Sequence, residues 1–197
     1  MEHLPFLNPT HPVSTSAHQP TLALRKGIAL VGLPRSGKTT VGQLMAKTLH
    51  WTFIDSDDQI AQSQGLRIPE LIAQRGIESF RQAESRWLHA LCTQTKATED
   101  SFCVLSTGGG LPCHDELMAL LNQHFVTVHL TLDVDTWLKR LFDPPHEMSQ
   151  RLDRKALSAL YDSRQPVYAQ AQFTLSQRST VEKDVENLLR AIWGPSP

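Results

Sequence analysis

The chain has 197 residues, a formal net charge of −1 and 40% hydrophobic residues, which is enough apolar material for one domain core. No basic stripe interleaved with aromatic residues is present, so nucleic acid is not an expected partner. No apolar run approaches the roughly 20 residues that span a membrane. The three cysteines, Cys92, Cys103 and Cys113, are odd in number and have no metal-site spacing, which indicates free thiols in a reducing compartment. We expect a cytoplasmic monomer.

The first 26 residues differ in composition from the rest of the chain. They contain four of the twelve prolines together with several serines, threonines and histidines. A segment of this kind buries little apolar surface. We expect a flexible N-terminal tail over residues 1–26 and one domain over residues 27–197.

Hydrophobic periodicity predicts alternating strands and helices in the domain. The predicted strands cover residues 27–31, 51–54, 102–106, 125–132 and 172–176. The predicted helices cover residues 41–49, 59–64, 68–73, 77–95, 115–122, 134–141, 152–168 and 180–193, with Pro166 expected to end or kink its helix. This alternation is typical of an α/β fold with three α/β/α layers around a parallel five-stranded sheet.

Residues 32–39 read GLPRSGKT and fit the phosphate-loop pattern G-x-x-x-x-G-K-[ST] between a predicted strand and a predicted helix. The two glycines let the backbone approach a phosphate closely, and the N–H groups and the helix N-terminus favour an anion. The lysine of the pattern reaches the β- and γ-phosphates, and its threonine offers a hydroxyl to Mg²⁺. The residues predicted to bind ATP are Gly32, Ser36, Gly37, Lys38, Thr39 and Thr40. For Arg35, inside the loop, we expect a solvated side chain.

Two further groups of residues follow predicted strands. Asp55 and Asp57 follow the second strand, where an extended chain would place both on one side, within reach of Mg²⁺ and of an acceptor hydroxyl. A turn or a helix cap is the alternative use of such an aspartate. Gly108, Gly109 and Gly110 follow the third strand and permit close approach to a ligand, although a flexible turn has the same composition. Because ligands bind at the carboxyl ends of parallel strands, we expect these loops to form one crevice.

The third strand does not end in an acid, and no N-K-x-D motif for guanine is present. These absences favour phosphoryl transfer to a small molecule over motor or switch functions.

The phosphate loop and four further motifs occur in the order seen in shikimate kinases. The four motifs are FIDSD at 53–57, FRQAE at 80–84, TGGG at 107–110 and RQPVY at 164–168. Over residues 27–193 the chain therefore resembles that family. The resemblance implies a nucleoside-monophosphate-kinase-like fold and transfer of the γ-phosphoryl group of ATP to the 3-hydroxyl of shikimate, with ATP and Mg²⁺ as cofactors.

The resemblance also implies roles for individual residues. Asp57 would hold the reacting hydroxyl and act as its base, and Asp55 would support Mg²⁺ with Thr39. Arg81 and Arg164 would clamp the shikimate carboxylate, for which a planar guanidinium is suited. The remaining implied positions are Lys38 as a catalytic residue, Arg140 on the adenine and in catalysis, Glu84 beside Arg81 or a ring hydroxyl, and Gly108, Gly109 and Gly110 lining the substrate pocket.

The chain departs from the family pattern in the lid, which we define as residues 142–151. The family has Arg-Pro-Leu-Leu there, and Pro144 falls where its arginine should be; Arg151 lies beyond the motif as a candidate replacement. Two alternatives therefore stay open besides an active shikimate kinase. One is a ligand-binding or regulatory relative with impaired catalysis, and the other is a kinase for another small hydroxy acid such as gluconate.

Overall fold

The computed structural model describes residues 26–93, 102–177 and 180–194. The strands are β1 (Gly27–Val31), β2 (Thr52–Asp55), β3 (Cys103–Ser106), β4 (Val126–Thr131) and β5 (Phe173–Ser176). The helices are α1 (Lys38–Leu49), α2 (Ser56–Gln64), α3 (Ile68–Thr93), α4 (Leu117–His124), α5 (Val134–Phe142), α6 (Glu147–Arg151), α7 (Arg154–Tyr168) and α8 (Val181–Trp193), with a 3₁₀ turn over Leu111–Cys113.

The five strands form one sheet in the order β2-β3-β1-β4-β5, and every neighbouring pair is parallel. The order reverses at β1, which lies between β3 and β4. In such sheets the crevice at the carboxyl ends beside the reversal binds ligands. The phosphate loop leaves β1 at this point, so the predicted fold class is confirmed and the loop lies where a ligand site is expected.

Alternation along the strands builds a core on each face of the sheet. Ala29 and Val31 of β1 face a cluster that includes Leu88 of α3 and Trp137 of α5. The intervening β1 residues face a second cluster formed with α1 and α8, which includes Val41, Met45, Val185 and Leu188. The sheet is therefore covered on both faces, as the sequence predicts for three layers.

Some helix boundaries differ from those predicted. Helix α2 begins at Ser56, three residues earlier than expected, because Asp55 caps it by accepting a hydrogen bond from the Asp57 N–H at 3.0 Å. Helix α7 ends at Tyr168, as predicted; of the two effects expected of Pro166, ending the helix does not occur, because the helix runs two residues past it. The break between the two predicted helices in 68–95 is present, because Gly76 interrupts α3 with φ 81° and ψ 163°.

The lid contains a helix that periodicity does not predict. Helix α6 has five residues, and His146 caps it by accepting from the Met148 N–H, while Ser149 Oγ accepts from the His146 N–H. Five residues are too few to display a helical period. Local side-chain capping therefore defines this segment.

Residues 1–25 of the predicted tail lie outside the described residues. Lys26, its last predicted residue, is hydrogen-bonded through its backbone to His124 and Cys103 and so extends β1. None of the described helices is both long enough and apolar enough to cross a membrane. Cys92, Cys103 and Cys113 are free thiols, as the sequence predicts.

The contact between α1 and β2 generates a stability prediction. A Cβ on Gly42 would lie 2.7 Å from the Phe53 ring and 3.2 Å from Leu30 Cδ1. Gly42→Ala gains about 1 kcal/mol of helix propensity but overpacks this contact at a cost of about 1–3 kcal/mol. We expect urea denaturation to show a net loss of stability, whereas Gln43→Ala at an exposed position of the same helix should not lose stability. A more stable Gly42→Ala protein would contradict this packing.

Candidate active site

The phosphate loop encloses the amino group of Lys38. The side chain is buried, and its Nζ donates to the carbonyl oxygens of Gly32 at 3.0 Å and Leu33 at 2.8 Å, with Ser36 Oγ at 3.4 Å. Burial lowers the pKa of Lys38 to about 8, and the nearby Asp57 and Asp55 carboxylates oppose this shift. The loop therefore holds a desolvated cation whose hydrogen-bond partners are all neutral, which favours exchange of those partners for a phosphate anion.

A pocket of about 380 Å³ opens beside this lysine. Its lining comprises Arg35, Gly37, Lys38, Thr39, Thr40, Arg140 and Asp143. Arg140 donates to Arg35 O at 3.3 Å and to Gln177 Oε1 at 3.2 Å, while Gln177 Nε2 donates to Ser36 O. Arg140 and Gln177 thus tie α5 and the end of β5 to the phosphate loop.

The end of β2 lies against the start of α1. Thr39 Oγ1 donates to Asp55 Oδ2 at 3.2 Å, and Asp55 Oδ1 accepts from the Asp57 N–H. Asp57 is in the first turn of α2, so the expectation of two aspartates on one side of an extended chain is wrong. The helix cap nevertheless fixes both carboxylates beside the loop, and Ser56 Oγ accepts from the Gly108 N–H at 2.7 Å.

Asp57 and Glu84 meet at the triple glycine. A methyl group on Gly108 would collide with Asp57 Oδ1 and lie 3.2 Å from Glu84 Oε1. Only glycine therefore lets the third loop approach these two carboxylates. Desolvation raises the pKa of Asp57 to about 6, and the Asp55 and Glu84 charges add to this effect.

Glu84 is fully buried and binds two donors through one oxygen. Its Oε2 accepts from Arg81 Nη1 at 2.6 Å and lies 2.9 Å from His114 Nε2. The Arg81 guanidinium lies directly over the Gly110 backbone, where a Cβ would collide with it. This arrangement leaves the other oxygen, Glu84 Oε1, directed toward Gly108.

Arg164 and Tyr168 lie one helical turn apart on α7. The Tyr168 hydroxyl donates to Gly109 O, and burial raises its pKa, so it remains a neutral donor. The Arg164 guanidinium interacts with the Tyr168 and Cys113 side chains. It also lies close enough to Lys38 for its charge to lower the pKa of that lysine. Helix α7 therefore delivers a guanidinium to the same crevice as the loops after β1, β2 and β3.

Three buried side-chain atoms of the described residues have no hydrogen-bond partner: Asp57 Oδ1, Glu84 Oε1 and Arg164 Nη1. An unpartnered buried polar group costs about 1–3 kcal/mol, and a charged group costs more. Two acceptors and one guanidinium donor at one crevice are the complement of a small molecule with hydroxyl and carboxylate groups.

The structure thus brings the predicted site residues to one edge of the sheet. In the lid, Pro144 and Arg151 are both exposed, and Arg151 ends α6. The sequence did not identify Ser56, His114 or Gln177, which contact the site only through tertiary structure. His114 lies four residues after the glycine triplet, which is the one local signal that could have indicated it.

The raised pKa of Asp57 predicts that its ionised carboxylate lowers the free energy of unfolding at high pH. The pKa of Asp57 is near 6 in the folded protein and near 3.9 when unfolded, so the ionised side chain opposes folding above pH 6 and ceases to do so near pH 4. We expect Asp57→Asn to raise the free energy of unfolding by about 1–3 kcal/mol at pH 8 and to have little effect at pH 4. Asp58→Asn, an exposed change in the same turn, is the control; a destabilised Asp57→Asn protein at pH 8 would contradict the assigned burial.

Comparison with known proteins identifies the family that the sequence motifs indicate. The sequence model of the shikimate kinase family matches residues 34–193. The chain is 34% identical over 168 residues to the shikimate kinase of Novosphingobium aromaticivorans, and this alignment covers 84% of this chain and 86% of that protein. It is 35% identical over 157 residues to the shikimate kinase of Geobacillus kaustophilus, covering 78% of this chain and 81% of that protein.

Solved structures show the same relationship. The shikimate kinase of Acinetobacter baumannii in complex with shikimate superposes with a TM-score of 0.75 at 28% identity, covering 87% of this chain and 95% of that one. A gluconokinase from Sinorhizobium meliloti superposes with a TM-score of 0.54 at 12% identity, which reflects a shared fold alone. The family match spans most of the domain and includes every site motif after the first two residues of the phosphate loop. The chain belongs to the shikimate kinase family.

Proposed function

We propose that this chain is a shikimate kinase that transfers the γ-phosphoryl group of ATP to the 3-hydroxyl of shikimate. It is a phosphotransferase acting on an alcohol group. The observation that carries the proposal is the set of buried atoms without partners, Asp57 Oδ1, Glu84 Oε1 and Arg164 Nη1. Shikimate supplies a carboxylate and ring hydroxyls, which are the partners that these three atoms lack.

The carboxylate end of the substrate is assigned to the arginines. Arg164 presents an unpaired Nη1, and Arg81 lies over Gly110 with one nitrogen already bound to Glu84. A guanidinium binds a carboxylate through two parallel N–H donors. Glu84 Oε1 and Asp57 Oδ1 then accept from ring hydroxyls, while Gly108, Gly109 and Gly110 form the wall that these groups share.

The nucleotide is assigned to the pocket beside Lys38. Lys38 would exchange its contacts with Gly32 O and Leu33 O for phosphate oxygens, and the Gly37 N–H and the Ser36 hydroxyl beside Lys38 would complete the phosphate site. Thr40 lines the same pocket, and Arg140 lies at its rim, where it would contact the adenine.

The residues at the start of α1 fit Mg²⁺. Thr39 Oγ1 and Asp55 Oδ2 lie 3.2 Å apart, and both are oxygen ligands of the kind Mg²⁺ prefers. No group of three or more acidic, histidine or cysteine ligands exists among the described residues, which suits a metal held by one or two side chains with water and phosphate. When bound, Mg²⁺ neutralises the charge of the phosphates.

Asp57 is the residue assigned to the acceptor hydroxyl. Its free Oδ1 would hold the hydroxyl proton and receive it as the oxygen attacks phosphorus and the bond from the γ-phosphorus to the bridging oxygen of ADP breaks. Its raised pKa, about 6, makes it a stronger base than an ordinary aspartate while leaving it ionised at neutral pH. The cytoplasmic location and the monomeric state stay predictions of the sequence.

The decisive test measures ADP release with ATP and Mg²⁺ in the presence and absence of shikimate, and with gluconate as the alternative acceptor. We expect release that depends on shikimate, with Asp57→Asn lowering kcat by about 10²–10⁴ and leaving nucleotide affinity nearly unchanged. Asp58→Asn is the matched control. Release with gluconate alone would assign a different acceptor, and shikimate binding without release would indicate the impaired relative.

The arginine clamp generates a second prediction. Arg164→Lys keeps the charge but removes the planar fork, so we expect the KM for shikimate to rise by about tenfold or more, equivalent to about 1.4 kcal/mol, with the KM for ATP unchanged. Arg154→Lys at the exposed start of the same helix should change neither constant. Equal effects on both substrates would exclude Arg164 as a carboxylate ligand.

The two shifted pKa values predict the pH dependence of kcat/KM. Activity requires ionised Asp57 and protonated Lys38, so the profile should fall below about pH 6 and above about pH 8. A bound nucleotide raises the pKa of Lys38, so the alkaline limb of kcat should lie at higher pH than that of kcat/KM. A flat profile between pH 5 and 7 would contradict the role of Asp57.

A further inference from the structure

Arg35 has an unusual place in the phosphate loop. It is the fourth residue of the loop, its φ is +63°, and its side chain is exposed at the pocket that Lys38 and Thr39 also line. The left-handed region is unfavourable for a residue with a Cβ, and a glycine would adopt it without strain. An arginine there is therefore not explained by the needs of the backbone.

The pocket has three cationic side chains in its lining, Arg35, Lys38 and Arg140. Lys38 is enclosed by the loop, and Arg140 is tied to Arg35 O and Gln177 Oε1. The Arg35 guanidinium makes no hydrogen bond or ion pair with the described residues, and its charge reaches His146 of the lid, where it contributes to a lowered pKa. Arg35 is thus a cation that projects between the loop and the lid with its donors available.

The lid does not supply an equivalent charge to the pocket. Its one arginine, Arg151, is exposed at the far end of α6 and does not line the pocket, and Asp143 is the lid residue that does. Phosphoryl transfer spreads negative charge over the three equatorial oxygens of the γ-phosphoryl group, and a guanidinium at those oxygens accelerates it.

We propose that Arg35 is a catalytic residue whose guanidinium binds the equatorial oxygens of the γ-phosphoryl group during transfer. This inference rests on the proposed function, since it assumes ATP as the donor. The acceptor oxygen bonds to phosphorus, its proton passes to Asp57, and the bond to the bridging oxygen breaks to release ADP. Arg35 and Lys38 would approach the phosphoryl group from the loop, with Arg140 fixed beside them through the Arg35 carbonyl.

The test compares Arg35→Gly, which accepts the left-handed φ and keeps the carbonyl bound by Arg140, with Arg35→Lys and the control Arg151→Ala. We expect Arg35→Gly to lower kcat by about 10²–10³, Arg35→Lys to lower it less, and Arg151→Ala to change it less than threefold. The dissociation constant of ATP should change less than tenfold in all three. A kcat for Arg35→Gly within threefold of the parent, or a greater loss in Arg151→Ala, would overturn the proposal.

A binding measurement separates this proposal from the proposed function. ADP with Mg²⁺ and aluminium fluoride mimics the transferring group, and calorimetry compares it with ADP and Mg²⁺ alone, without shikimate. We expect aluminium fluoride to strengthen binding to the parent protein at least tenfold and to Arg35→Gly less than threefold, while Arg151→Ala behaves as the parent. Equal strengthening in the parent and Arg35→Gly would overturn the role of Arg35, whereas absence of shikimate-dependent ADP release by the parent would overturn the proposed function.

Discussion

The site depends on burying charged groups whose partners the protein does not provide in full. Asp57 Oδ1 and Glu84 Oε1 are buried without a partner and converge at Gly108, and Arg164 Nη1 is likewise buried and unpaired. Water would satisfy these atoms if the crevice were open, and internal partners would satisfy them if it were a structural ion-pair network. These atoms are shielded from bulk solvent and have no partner among the described residues, so a ligand of complementary chemistry would supply interactions that the protein alone lacks.

Parallel strand order makes this concentration of charge possible. The loops after β1, β2 and β3 leave the same edge of the sheet, so residues distant in sequence, such as Lys38, Asp57 and Gly108, lie at one crevice. Glycine then sets the distances. Gly108 admits the carboxylates of Asp57 and Glu84, and Gly110 admits the guanidinium of Arg81 against its backbone. The strand order places the loops together, and the lack of a Cβ at Gly108 and at Gly110 leaves room for these side chains at the crevice.

Much of this organisation can be predicted from the sequence, because strand periodicity and the phosphate loop are local signals. The strand positions, the break at Gly76 and the convergence of three loops all follow from such signals. The contacts of His114 and Gln177 do not, since each depends on an oxygen supplied by a distant segment. The extended geometry expected for Asp55 and Asp57 is wrong, because the Asp55 cap starts α2 immediately after the strand.

The proposed function requires a carboxylate and hydroxyl groups to pair with the unpartnered atoms Asp57 Oδ1, Glu84 Oε1 and Arg164 Nη1. Titration calorimetry of nucleotide-free protein with shikimate and with its methyl ester measures the contribution of the carboxylate, since the ester keeps the ring hydroxyls and removes the charge. We expect one shikimate bound per chain and an affinity for the ester that is at least about 10²-fold lower, equivalent to about 2.7 kcal/mol. Equal affinity for the acid and the ester would contradict this requirement for a carboxylate.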